Sequence, residues 1–195
     1  MATPKQLVEA VAGVLGISVA SVVVHDRNLS NAPVPLRTVA GRGRAAAKMT
    51  ATDAANLVIA VAGSESVKNS VWAVLTYGGL RGIKTRTTAT GIRSFDELPA
   101  NHSLAEMLAA LIDAVAVGEL LPDKFSLTVR LYGPRPYADL QYFLPGMRIG
   151  LGEENIRYEL KPKSKWAGVS GDLFRETVFS ELTILHVGAL IGSLE

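Results

Sequence analysis

Apolar residues recur at helical spacing through the first part of the chain and at alternate positions through the last part. Leu7, Val8, Val11, Val14 and Leu15 share one face of a helix predicted over Pro4 to Leu15, with Pro4 suited to its first turn. Gly16 ends that helix, because glycine accepts the left-handed conformation a helix terminus favours. Ser18 is a good N-cap for a second helix to about Asn31, closed by Ala32-Pro33, although Val22-Val23-Val24 within it favours strand locally. Pro33 to Met49 reads as a loop or short hairpin. Thr50 or Thr52 caps a third helix over Asp53 to Ala62, broken by Gly63; a fourth is predicted from Val67 to Tyr77, ended by Gly78-Gly79.

Leu80 to Ala100 is rich in threonine and arginine, lacks an apolar period and reads as a hinge. Ser103-x-x-Glu106 is a capping box opening a helix to about Leu121, apolar nearly all round and therefore buried. From Pro122 the period becomes two. Phe125–Tyr132 and Tyr137–Leu144 are predicted strands joined by the turn Gly133-Pro134-Arg135-Pro136, and Ile156–Leu160 makes a third. Leu173–Phe179 fits a fourth strand or a helix start. Glu181–Ile191 is the predicted last helix, with Leu182, Leu185, Ala189 and Leu190 as its buried side. This pattern predicts an α+β fold: a helical module over 1–79, a linker over 80–100 and an α+β oligomerisation or sensing part over 101–195.

With 48% of 195 residues apolar, the chain can build a sizeable core, which argues against disorder. It contains no cysteine, so disulfides, thiolate metal sites and cysteine nucleophiles are excluded. There is no secretory layout at the N-terminus and no apolar run near the roughly 20 residues a membrane helix needs, so no membrane partner and a cytoplasmic location are expected. A net charge of +2 hides an uneven distribution: residues 1–94 carry 11 of the 20 basic side chains and only 4 of the 18 acidic ones. A basic half beside an acidic half is the footprint of a chain that meets a polyanion at one end.

Candidate chemistry concentrates in that basic half. Ala12 is small where a second helix would cross the first, Gly16 tolerates the turn, and Ile17 and Val22 fall where apolar residues pin the second helix. This spacing resembles the helix-turn-helix of phage repressors and related bacterial regulators over about 20 residues. Arg42-Gly43-Arg44, sprung on Gly41 and Gly43, resembles the wing of winged helix-turn-helix proteins. The resemblance implies a sequence-specific regulator of transcription that binds double-stranded DNA, of the phage or mobile-element type, as a homo-oligomer, most simply a dimer. The expected DNA contacts are Ser18, Ala20, Ser21, His25, Arg27 and Asn28 from the second helix, Arg37, Arg42, Arg44 and Lys48 from the wing and its flanks, and Lys84 and Arg86 from the hinge. The groove-facing set also includes Val19, Val23 and Val24, which cannot read base edges by hydrogen bonding but can touch thymine methyls.

Enzyme signals are thin. His25, His102 and His186 have no metal-ligand spacing, His186 reads as a core or interface histidine, and no nucleophile-elbow pattern occurs, so no catalytic residue, metal or cofactor is expected. The tyrosines of the strand region read as cross-strand packing. Two other roles fit the same residues: a DNA-packaging or replication accessory such as a small terminase-like ring, and a protein-interaction module that does not touch DNA.

Overall fold

Thr3 starts the first helix with a reciprocal cap: its hydroxyl accepts from the Gln6 amide, and the Gln6 side chain accepts from the Thr3 amide at 2.9 Å. The structure, a computed structural model, describes residues 2–34, 36–39, 47–83, 92–122, 125–143, 154–160 and 175–192. Helix α1 (Pro4–Leu15) ends at Gly16, which sits at φ 65°, ψ 29° in the left-handed region. Two residues later Ser18 caps α2 (Val19–Ser30) by accepting from the Ser21 amide. Helix α3 (Ala51–Gly63) begins with a second reciprocal cap, between Thr50 and Asp53, and is buried on nearly every side by Ala54, Ala55, Leu57, Val58, Ile59 and Ala60.

The predicted fourth helix is a composite. A 3-10 turn (Val67–Asn69) leads into α4 (Ser70–Ala73) and then a π turn (Val74–Gly78). The π turn holds Tyr77 against Gly63, where a Cβ would lie 2.8 Å from the ring, and the Tyr77 hydroxyl donates to the Tyr132 carbonyl at 3.0 Å. Next come β1 (Arg81–Gly82), α5 (Arg93–Asp96) and α6 (Leu104–Ala116), the last opened by the expected Ser103–Glu106 cap. Helix α6 stops short of Leu121 because Gly118, at φ 78°, turns the chain so that the amides of Glu119 and Leu120 both return to the Ala114 carbonyl.

Strands β2 (Ser126–Gly133), β3 (Tyr137–Phe143), β4 (Glu154–Glu159) and β5 (Arg175–Ser180) join β1 in an antiparallel sheet of order β1-β4-β3-β2-β5. Its register places Val129 opposite Leu140 and Phe179, and Leu140 opposite Ile156, so one face is apolar and covered by helices. The other face carries Arg130, Asp139, Arg157 and Glu176 in cross-strand ion pairs. The segment expected to form a hinge instead contributes Leu80, Ile92 and Phe95 to the same core that contains Leu7 and Leu140. Its arginines Arg81 and Arg93 pair with Glu106 and Glu97.

Helix α7 (Glu181–Gly192) follows β5 without a loop and packs on α6 and α1. Its buried side is Thr183, Ile184, Val187 and Gly188, whereas Leu182 and Ala189, expected inside, face solvent, as does His186. The reason is the close approach to α6. A Cβ at Gly188 would lie 2.6 Å from Val115 Cβ and 2.9 Å from the Ile112 carbonyl oxygen, and one at Gly192 would overlap the Ala116 carbonyl. The seam therefore follows the glycines rather than the leucines. Gly188→Ala should lower the unfolding free energy by about 1–3 kcal/mol through overpacking, read as a shift in the urea midpoint. An unchanged midpoint would mean that α6 and α7 separate easily.

Candidate nucleic-acid interface

Two opposed stripes run along α2. Val22, His25, Asp26 and Leu29 recur at helical spacing and are buried. Val19, Val23 and Arg27 recur at intervals of four on the opposite side and are exposed, with Ser18 and Ala20 beside them at the N-terminal end and Ser21 half-buried at the border. Of the residues expected to contact DNA, the exposed stripe thus brings together Ser18, Ala20 and Arg27.

His25 and Asn28 face inward. Asn28 Nδ2 donates to the Val67 carbonyl at 2.6 Å and reaches Ser70 Oγ at 3.3 Å. Ser70 gives its single proton to the Val67 carbonyl, so its oxygen must accept from His25 Nδ1, 2.9 Å away, which fixes the histidine tautomer. These bonds lock α2 to the start of the fourth helical segment and leave neither side chain for base edges. Burial pushes the His25 pKa below its usual 6.5. The unfolded chain therefore takes up this proton first, and the folded state loses stability as pH falls through about 6.5 toward the lower folded value. The urea midpoint should be level above that window and decline within it, and His25→Gln should remove the decline; the same decline in the variant would assign it to another group.

Arg37 is held inside as well. Its Nη2 donates to Asp26 Oδ2 at 2.9 Å, its Nε stands 2.6 Å from Asp26 Oδ1 outside hydrogen-bond alignment, and its Nη1 donates to the Thr38 carbonyl at 2.6 Å. Both side chains are only 12% exposed. Desolvation is the largest influence on Asp26 and raises its pKa despite the guanidinium, with the nearby Asp53 carboxylate pushing the same way. Arg37 is thus a clamp between α2 and the following segment rather than an open phosphate contact.

That segment is stapled to α3. The Thr38 amide donates to Asp53 Oδ1 at 2.6 Å, and Asn56 Nδ2 donates to the Leu36 carbonyl at 2.8 Å. Beyond residues 40–46 in sequence, the Met49 amide donates to the Ala2 carbonyl at 2.9 Å, and Lys48 beside it is exposed. Residues 36–39 and 47–49 are therefore fixed feet on either side of residues 40–46, which include Arg42 and Arg44 and lie outside the described residues, as do Lys84 and Arg86.

The inward role of His25 and Asp26 was readable from Val22 and Leu29, which flank them at helical spacing. The Asn28–Val67 bond had no sequence signal, because its partner lies 39 residues away. Among the described residues no group of three or more histidines and carboxylates could hold a metal ion, and no helix is long and apolar enough to cross a membrane. No family model matches the chain, and no curated protein or solved structure matches it either.

Proposed function

We propose that this chain binds double-stranded DNA through the exposed stripe of α2 and the basic segment that follows, as a sequence-specific regulator of transcription. The observation that carries the reading is the division of α2: one face is locked to the protein by His25, Asp26 and Asn28, while Ser18, Val19, Ala20, Val23 and Arg27 are left open on the other. The positive end of the α2 dipole lies at Ser18, where it favours a phosphate. Arg27 and Lys48 supply exposed cations, and Arg42 and Arg44 follow in sequence between two anchored feet.

The test is the affinity of the purified chain for random-sequence duplex at several salt concentrations. Binding should weaken steeply, with a log–log slope of about −0.9 per phosphate neutralised, and Arg27→Ala and Lys48→Ala should each make the slope shallower by about one. Arg37→Ala should leave the slope of the folded fraction unchanged. Absence of salt-dependent binding would overturn the reading. Enrichment of one sequence from a random pool is the mark of a regulator, whereas uniform binding would assign a packaging or replication accessory.

A further inference from the structure

Residues on the open stripe of α2 are mostly of a type that solvent does not favour. Val19 is 48% exposed and Val23 39%, with Ile17 at 41% just before the helix. Valine is also a weaker helix former than the lysine or glutamate usual on a solvated helix face. Ala20 lies between the two valines, and Arg27 closes the stripe. Two of the polar side chains that could read base edges from this helix, His25 and Asn28, are committed to Ser70 and Val67 on the other side, and Ser18 Oγ caps the helix by accepting from the Ser21 amide.

We infer that α2 reads the C5-methyl groups of thymine in the major groove through Val19, Ala20 and Val23, with Arg27 as the cation that seats the helix. This rests on the proposed DNA-binding role and specifies what that surface recognises. The chemistry follows from the groove. Thymine is the one unmodified base that presents a methyl there, and a methyl is matched by a small apolar side chain rather than by a donor or acceptor. A recognition helix contacts bases with its N-terminal residues, which is where Val19, Ala20 and Val23 lie. A surface left with methyls and one cation discriminates A·T-containing sites from G·C sites without a base-directed hydrogen bond from those three residues.

The experiment begins with selection of bound duplexes from a random pool and measurement of their affinities at one fixed salt concentration. Each thymine of the selected site is then replaced singly by deoxyuridine, which lacks only the methyl. At one or more positions the affinity should fall about three- to fourfold, the scale expected for losing burial of one methyl. Val23→Ser, at an exposed position where the fold is not at risk, should abolish the difference between thymine and deoxyuridine at one such position while keeping the salt slope. Equal affinities for thymine and deoxyuridine at every position would overturn the inference, as would salt-dependent binding that enriches no sequence; both leave the DNA-binding reading standing. No binding to any duplex would overturn both. If light scattering shows that Val23→Ser dissociates an oligomer and leaves the thymine preference intact, the stripe is a contact between copies of the chain and the inference fails.

Discussion

Arg37→Ala should destabilise the protein by about 3–5 kcal/mol, because it leaves the Asp26 carboxylate buried without its counter-charge. The pair is enclosed, with both side chains 12% exposed, and Asp26 is already strained toward its protonated form by desolvation. The same reasoning predicts an opposite outcome for the pair removed together. Asp26→Leu with Arg37→Met should be near neutral or stabilising, since two desolvated charges are exchanged for apolar contacts. Urea midpoints of the two variants at pH 7 settle the matter. A cost of less than about 1 kcal/mol for Arg37→Ala would mean that Asp26 finds water and that the clamp is dispensable. The result also bears on function, because a DNA-binding defect in Arg37→Ala would be a folding defect, recognisable by its recovery at low temperature or in a stabilising osmolyte.

Leu111→Ala should cost about 2–5 kcal/mol, in the upper half of that range. Leu111 is fully buried on α6, which packs against α3, α5, α7 and the π turn. The site cannot collapse readily, because α7 is already at closest approach along Gly188 and Gly192. The deleted atoms would therefore leave much of their volume empty. A loss under about 1.5 kcal/mol in chemical denaturation would show that the helices close over the gap.

Local chemistry was the most legible part of the fold. The cap at Ser103 with Glu106, the stop at Gly16, the N-cap at Ser18 and the alternation of Leu127, Val129 and Leu131 each act over a few residues, and each element formed within a few residues of its expected bounds. What sequence reasoning missed depends on partners far along the chain. By sequence Arg81 reads as linker charge, yet it opens the short edge strand β1, where Glu106 and the Asn101 carbonyl hold its side chain. His102 donates from Nδ1 to the Pro99 carbonyl and accepts a hydrogen bond from the Tyr158 hydroxyl at Nε2, 2.8 Å away, a tie between the turn before α6 and β4 that no periodicity announces. Removing Tyr158 from water raises its pKa well above the usual tyrosine value.

The candidate interface divided in the same way. The helix-turn-helix resemblance names Ser18, Ser21, His25, Arg27 and Asn28 together; Ser18 and Arg27 are exposed, whereas His25 and Asn28 turn inward to Ser70 and Val67. Arg37 was grouped with the wing by charge alone, and charge does not distinguish a phosphate contact from a buried partner such as Asp26. Tyr132 and Tyr137 do pack across strands, stacked at 4.2 Å with the Arg157 guanidinium 5.4 Å over the Tyr137 ring.

The seating of α1 on α7 sets an order of events during synthesis. Helix α1 packs on α2, its neighbour in sequence, and on α7 near the other end of the described residues. Until α7 leaves the ribosome, the part of α1 that it covers stays open, and transiently exposed apolar surface of that kind is what chaperones bind. Such distant closure slows the search for the native state, so α1, on which the proposed DNA-binding helix α2 rests, is fully seated only once α7 has been made.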